Sequence, residues 1–203
     1  PTSQEIENKE TFNAKLKIMD EKLIGTCQRT FTGESRSQFQ NIYNSFESSK
    51  KAEALEGFLS GSDKNNHITE IKTSDLKNRD QQLTIDYVLD SSNRVSMFDE
   101  EMYLNFEFMN EYKGMTFKDR KTDYEFDYKT LYESEITIDF PMGFKIEKKP
   151  ENLKIEDEDY AIEANFTIKG NSIIYKKSFQ FKNALIRKSH LESWALAHKK
   201  LLE

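Results

Sequence analysis

Cys27, His67 forty residues later, and then Asp75 and Asp80 stand in the order of a cysteine nucleophile, its base and an orienting carboxylate. Such chemistry needs the thiolate, and an unperturbed thiol is only about 3% ionised at pH 7. A helix N-terminus or a neighbouring cation must therefore lower its pKa. Cys27 instead falls within a strand-like alternation, Leu23, Gly25, Cys27, Arg29 and Phe31, where a thiol packs as a small apolar group. The pattern favours packing over catalysis.

The remaining candidates are weaker. His190 and His198 are eight residues apart with no acidic or thiol ligand at helical spacing, which makes a poor metal pair. The run Glu156-Asp-Glu-Asp159 is acidic but lacks the glycine-spaced oxygens of a calcium loop, and reads as a solvated turn. Trp194, Phe39, Tyr43 and Phe46 suit either a partner-binding face or the anchoring of helices to a sheet, and anchoring is the commoner use. No phosphate-cradling glycine loop, nucleophile elbow or zinc motif occurs in the sequence. No catalytic, cofactor-binding or metal-binding residue is therefore assigned.

Composition narrows the class. A chain of 203 residues buries roughly 70% of the surface it exposes when unfolded, enough for one large core or two small ones. Charged residues make up 33%, but fifteen Phe and nine Tyr supply large buried areas, which argues against disorder. The net charge is −6 with Lys and Glu interspersed, so no basic stripe points to nucleic acid. One cysteine excludes an internal disulfide, and no apolar run reaches membrane-spanning length. No signal peptide is visible, and the chain opens Pro1-Thr-Ser rather than with Met, as a piece of a longer protein would.

The elements that must carry these residues follow from periodicity. Phe12, Ala14, Leu16 and Ile18 alternate with polar residues, Asp20-Glu21-Lys22 turns, and residues 23–31 return as a hairpin partner. Phe39, Ile42, Tyr43 and Phe46, then Ala54, Leu55, Phe58 and Leu59, predict consecutive helices over 35–47 and 50–60, with Gly61 ending the second. Strands are expected at 67–72, 83–89 and 102–109, the last dense in aromatics on both faces. Residues 110–133 read as a connection or as charged edge strands. Strands follow from Ser134 to Phe140 and, after a Pro141-Met142-Gly143 turn, at 144–150. Two more, meeting at Gly170-Asn171, carry Tyr160 to Ile168 and Ile173 to Phe181. Ser189 and Glu192 form a capping box for a final helix, 189–202, lined by Leu191, Trp194, Ala195, His198, Leu201 and Leu202.

Residues 136–152, Ile-Thr-Ile-Asp-Phe-Pro-Met-Gly-Phe-Lys-Ile-Glu-Lys-Lys-Pro-Glu-Asn, resemble the domain of unknown function at the C-terminus of bacterial transglutaminase-like proteins. The Tyr160–Phe166 and Ile174–Phe179 segments, and the Ser189-His-Leu-Glu-Ser-Trp194 helix start, are similar to the same domain. Residues 12–110 resemble more loosely the segment after that family's core, up to Tyr103-Leu104-Asn105. The resemblance implies a β-sandwich tail ending in a helix, with a transglutaminase-like core of the same polypeptide as its partner. In that family the reactive cysteine opens a core helix, a context Cys27 does not match, so no catalytic residue carries over. Family members are typically exported, which implies a periplasmic or cell-surface location.

The combined expectation is an α+β fold, mainly antiparallel β and β-sandwich-like, with a helical crossover near 35–60 and a C-terminal helix over 189–202. A division into a β-rich lobe, 1–125, and a C-terminal sandwich, 126–203, accompanies it. The expected role is non-catalytic: structural, or positioning a protein or glycan, without nucleic acid, cofactor or membrane span. The alternative is a free-standing cell-envelope binding or adhesion module using the aromatic strand 102–109. A cysteine enzyme built on Cys27 and His67 is the third reading.

Overall fold

Alternation at the N-terminus produces the expected hairpin. β1 (Lys9–Met19) and β2 (Lys22–Phe31) pair antiparallel with Met19 opposite Lys22, so Asp20 and Glu21 make the whole turn. Both take positive φ, 48° and 58°, the left-handed pair that a two-residue hairpin uses to match strand twist. The computed structural model describes residues 8–78, 81–108, 114–117 and 119–202.

Two helices then cross over, α1 (Gly33–Ser45) and α2 (Lys51–Ser60), joined by a 3-10 turn at Ser48–Lys50. Gly61 ends α2 in the left-handed region, its N–H returning to the Gly57 and Phe58 carbonyls. The chain continues through β3 (Asn66–Thr73), β4 (Leu83–Ser91), β5 (Val95–Phe98), β6 (Glu101–Leu104) and the two-residue β7 (Tyr124–Glu125). There follow β8 (Leu131–Asp139), β9 (Leu153–Glu156), β10 (Tyr160–Lys169), β11 (Ser172–Phe181) and β12 (Leu185–Ile186). A 3-10 turn, Lys188–His190, leads into α3 (Leu191–Leu202).

Eight strands form one sheet in the order β3-β4-β2-β1-β8-β11-β10-β9. Every pairing in it is antiparallel except β1 with β8, so strands from either side of residue 125 lie side by side at its centre. The end strands β3 and β9 do not pair with each other, so the sheet is not a closed barrel. Register places Ile68, Leu89, Gly25, Leu16, Ile138 and Ile173 in one row on the inner face. Their neighbours along each strand, such as Lys17, Asp90 and Asp139, occupy the outer face.

The inner face is covered, which makes the molecule sandwich-like. Helices α1 and α2 and residues 102–108 pack over β1–β4 and β8. α3 closes a second cluster over β10 and β11, with Trp194 1% exposed at its centre. Trp194 donates its indole N–H to the Met115 carbonyl at 2.8 Å and meets Tyr160 edge-on, so it anchors the helix. Among the described residues no helix is long and apolar enough to cross a membrane.

Three local expectations are corrected. The strand expected at 102–109 ends at Leu104, because the Asn105 side chain accepts the Glu107 N–H and turns the backbone off the ladder; Met109 lies outside the described residues. No strand forms over 144–150. The turn uses Gly143 at φ 97°, Ile146 leans on the core without a ladder, and pairing resumes at Leu153. Ser189 does not cap the last helix but sits inside the 3-10 turn before it.

Candidate functional site

Cys27 is 3% exposed on the inner face, opposite Ala14 and Tyr87 in its two neighbouring strands. Burial pushes its thiol up to about 12, only partly opposed by a hydrogen bond with Tyr87 and the positive charge of Arg94. His67 pairs with Asp90 on the outer face of the same sheet. A strand's successive side chains point to opposite faces, so the imidazole and the thiol are separated by the sheet itself. Asp75 accepts the Lys77 N–H in a local turn, and Asp80 lies outside the described residues. The sequence order Cys, His, Asp is not a spatial arrangement.

The fold does bring together residues the sequence left apart. Asp157 and Asp159, in the β9–β10 turn, meet His190 from more than thirty residues away in sequence, with ligand atoms within 4.8 Å of one another. His190 Nδ1 lies 2.6 Å from Asp157 Oδ1, and Ser193 Oγ lies 3.0 Å from Asp157 Oδ2. The buried Asp159 accepts from the Arg187 N–H at 2.9 Å and from Asn183 at 3.0 Å, and its Oδ1 is 2.7 Å from Arg187 Nη2.

A cation here would share Asp159 with that guanidinium, so the donor set fits a metal poorly. Nor does it form a nucleophile triad, because Asp157 stands between Ser193 and His190: the hydroxyl donates to the carboxylate and the imidazole nitrogen meets that same carboxylate. The arrangement is a polar staple that fixes the start of α3 to the sheet.

Charged side chains on the inner face form a second cluster. Glu10 pairs with Arg29, whose guanidinium lies 4.5 Å over the Phe58 ring. Lys177 lies 2.6 Å from Glu107, and Arg94 lies 3.9 Å over the Phe108 ring. Between α2, the loop carrying Arg94 and the sheet is a cleft of about 410 Å³, reaching Phe12, Arg29, Phe58, Tyr87, Arg94 and Phe108. Arg29 and Lys177 each occupy an inward position in an apolar alternation, and that displaced charge is the signal that could have marked this face from sequence.

Residues 100–197 match the family model described as a domain of unknown function with a solved-structure structure (DUF3858). The matched segment carries β6 to β12 and most of α3, including the Asp157–His190 staple, Glu107 and Lys177. Cys27, His67, Arg29 and Arg94 precede it, as do the four strands β1 to β4 that complete the sheet. Neither the search of curated proteins nor that of solved structures found a match.

Proposed function

We propose that this chain is a non-catalytic, partner-positioning region of an exported transglutaminase-like protein, acting in the periplasm or at the cell surface. The resemblance of residues 136–152 supports the parentage, and the buried thiol of Cys27 supports a role without chemistry of its own. One observation carries the docking role. On α1 Ile42 is 57% exposed, and just past its end Phe46 is 41% exposed, at the rim of an apolar pocket reaching Phe31, Phe39, Tyr43 and Leu55. Aromatic and aliphatic side chains clustered at a concave rim are the usual anchor of a protein partner. The transglutaminase-like core of the same polypeptide is the partner assigned to it.

The full reading frame and a binding measurement test this together. The frame should encode a transglutaminase-like core, and that core, produced separately, should bind this chain in titration calorimetry. Ile42→Ser with Phe46→Ser should weaken binding about tenfold or more while leaving the far-UV spectrum unchanged. A frame without such a core overturns the reading, as does binding indifferent to both substitutions.

A further inference from the structure

We infer that the cleft between α2, the Arg94 loop and the inner sheet face binds a small monocarboxylate with an apolar, aromatic body, its charge met by Arg94. This does not rest on the docking reading, since neither Ile42 nor Phe46 lines the cleft.

A volume of about 410 Å³ lies within the range of small-molecule sites. Phe12, Phe58, Phe108 and Leu89 give apolar walls suited to a ring. Most polar groups at the cleft are already engaged. Arg29 pairs with Glu10, Asp63 accepts from Asn65 and Asn93, and Asn66 bonds Ser60 and Ser91.

Arg94 differs from them in its charge: no carboxylate lies within ion-pair distance of it among the described residues. Its Nη1 donates to the Glu107 carbonyl at 2.6 Å, and its buried Nε, like that of Arg29, has no acceptor. Burial pulls its pKa below the ordinary value, and the charges of Asp63 and Glu107, close by but beyond ion-pair distance, oppose that. A guanidinium lying over the Phe108 ring keeps the donors other than the one given to Glu107 for a planar anion, and a carboxylate accepts two such donors in parallel. The nearby Asp63 and Glu107 disfavour a second negative charge, and the apolar walls offer nothing to phosphate. The chemistry therefore selects a monocarboxylate.

The test titrates the chain with 3-phenylpropionate, its neutral analogue 3-phenylpropan-1-ol, and inorganic phosphate, following backbone amide shifts by NMR. The acid should bind, with shifts centred on Phe58, Gly61, Leu89 and Arg94. The alcohol should bind about tenfold more weakly, and phosphate should leave these amides in place. Arg94→Gln should weaken the acid about tenfold with little change in thermal midpoint. No binding of the acid at millimolar concentration overturns the inference, and so do equal affinity for acid and alcohol, phosphate shifts at the same amides, or shifts centred elsewhere. Should Arg94→Gln not fold, the acid–alcohol comparison on the unaltered chain decides.

Discussion

Lys177, with a side chain 4% exposed, places its ammonium 2.6 Å from the carboxylate of Glu107 and so ties the middle of β11 to the chain leaving β6. The lysine faces inward between Ser134 and Ala164, where water does not solvate it. Removing one member of such a pair takes a partner from a desolvated charge, which costs more than the pair itself contributes. Glu107→Gln is expected to lower stability by about 1–3 kcal/mol in urea unfolding, less than for a sealed pair because Glu107 remains 29% exposed. Adding Lys177→Met should recover part of that loss. A neutral Glu107→Gln would show that the ammonium is solvated after all.

Cys27 should behave as an inert core thiol. A thiol pushed up to about 12 is roughly one part in ten thousand thiolate at pH 8, before the sheet's exclusion of reagent is counted. Iodoacetamide at pH 8 should leave the folded chain unmodified for hours and alkylate it promptly in denaturant. Fast alkylation of the folded chain, unaccompanied by local unfolding, would contradict the buried placement.

Long alternating runs were legible because burial on one face of a sheet imposes period two directly on the residues. β1, β2, β4, β10 and β11 carry it, and the inward charges of Arg29 and Lys177 interrupt it. Strands of two to four residues, such as β5, β7 and β12, are too short to display a period. The parallel pairing of β1 with β8 joins segments more than a hundred residues apart, and no local propensity encodes it. The Asp157–His190 staple and the Arg94 cleft are likewise products of that tertiary closure. Each of their residues looked ordinary in its own segment, a turn aspartate or a loop arginine.

The staple should give the fold an acid-sensitive component. Burial favours the neutral form of Asp157, but the Asp159 N–H together with His190 and Ser193 outweighs it and holds the carboxyl below its ordinary value. A group depressed on folding stabilises the native state fully above its unfolded pKa, near 4, and loses that contribution as pH falls through the folded value. The thermal midpoint should therefore drop as pH is lowered from about 5 to 2. Asp157→Asn should lower the midpoint at neutral pH and flatten the acid slope. Parallel slopes for the two proteins would place the acid sensitivity elsewhere.

Gly25 is the position in the sheet where a single methyl group should be least tolerated. It stands mid-strand in β2, opposite Leu16 on one side and Leu89 on the other. A Cβ built there would press into the carbonyl oxygen of Lys15 and the Cα of Leu16, both backbone atoms that cannot swing aside. Relief requires β1 and β2 to move apart, and β1 also carries the parallel junction with β8. Gly25→Ala is expected to destabilise by about 2 kcal/mol or more, against a strand-interior glycine's usual gain from alanine. Gly57, on α2 with nothing near its would-be side chain, serves as the control, where alanine should stabilise by a few tenths to about 1 kcal/mol. Urea unfolding of the two variants settles the contrast, and a stabilised Gly25→Ala would mean that β1 and β2 are not in this register.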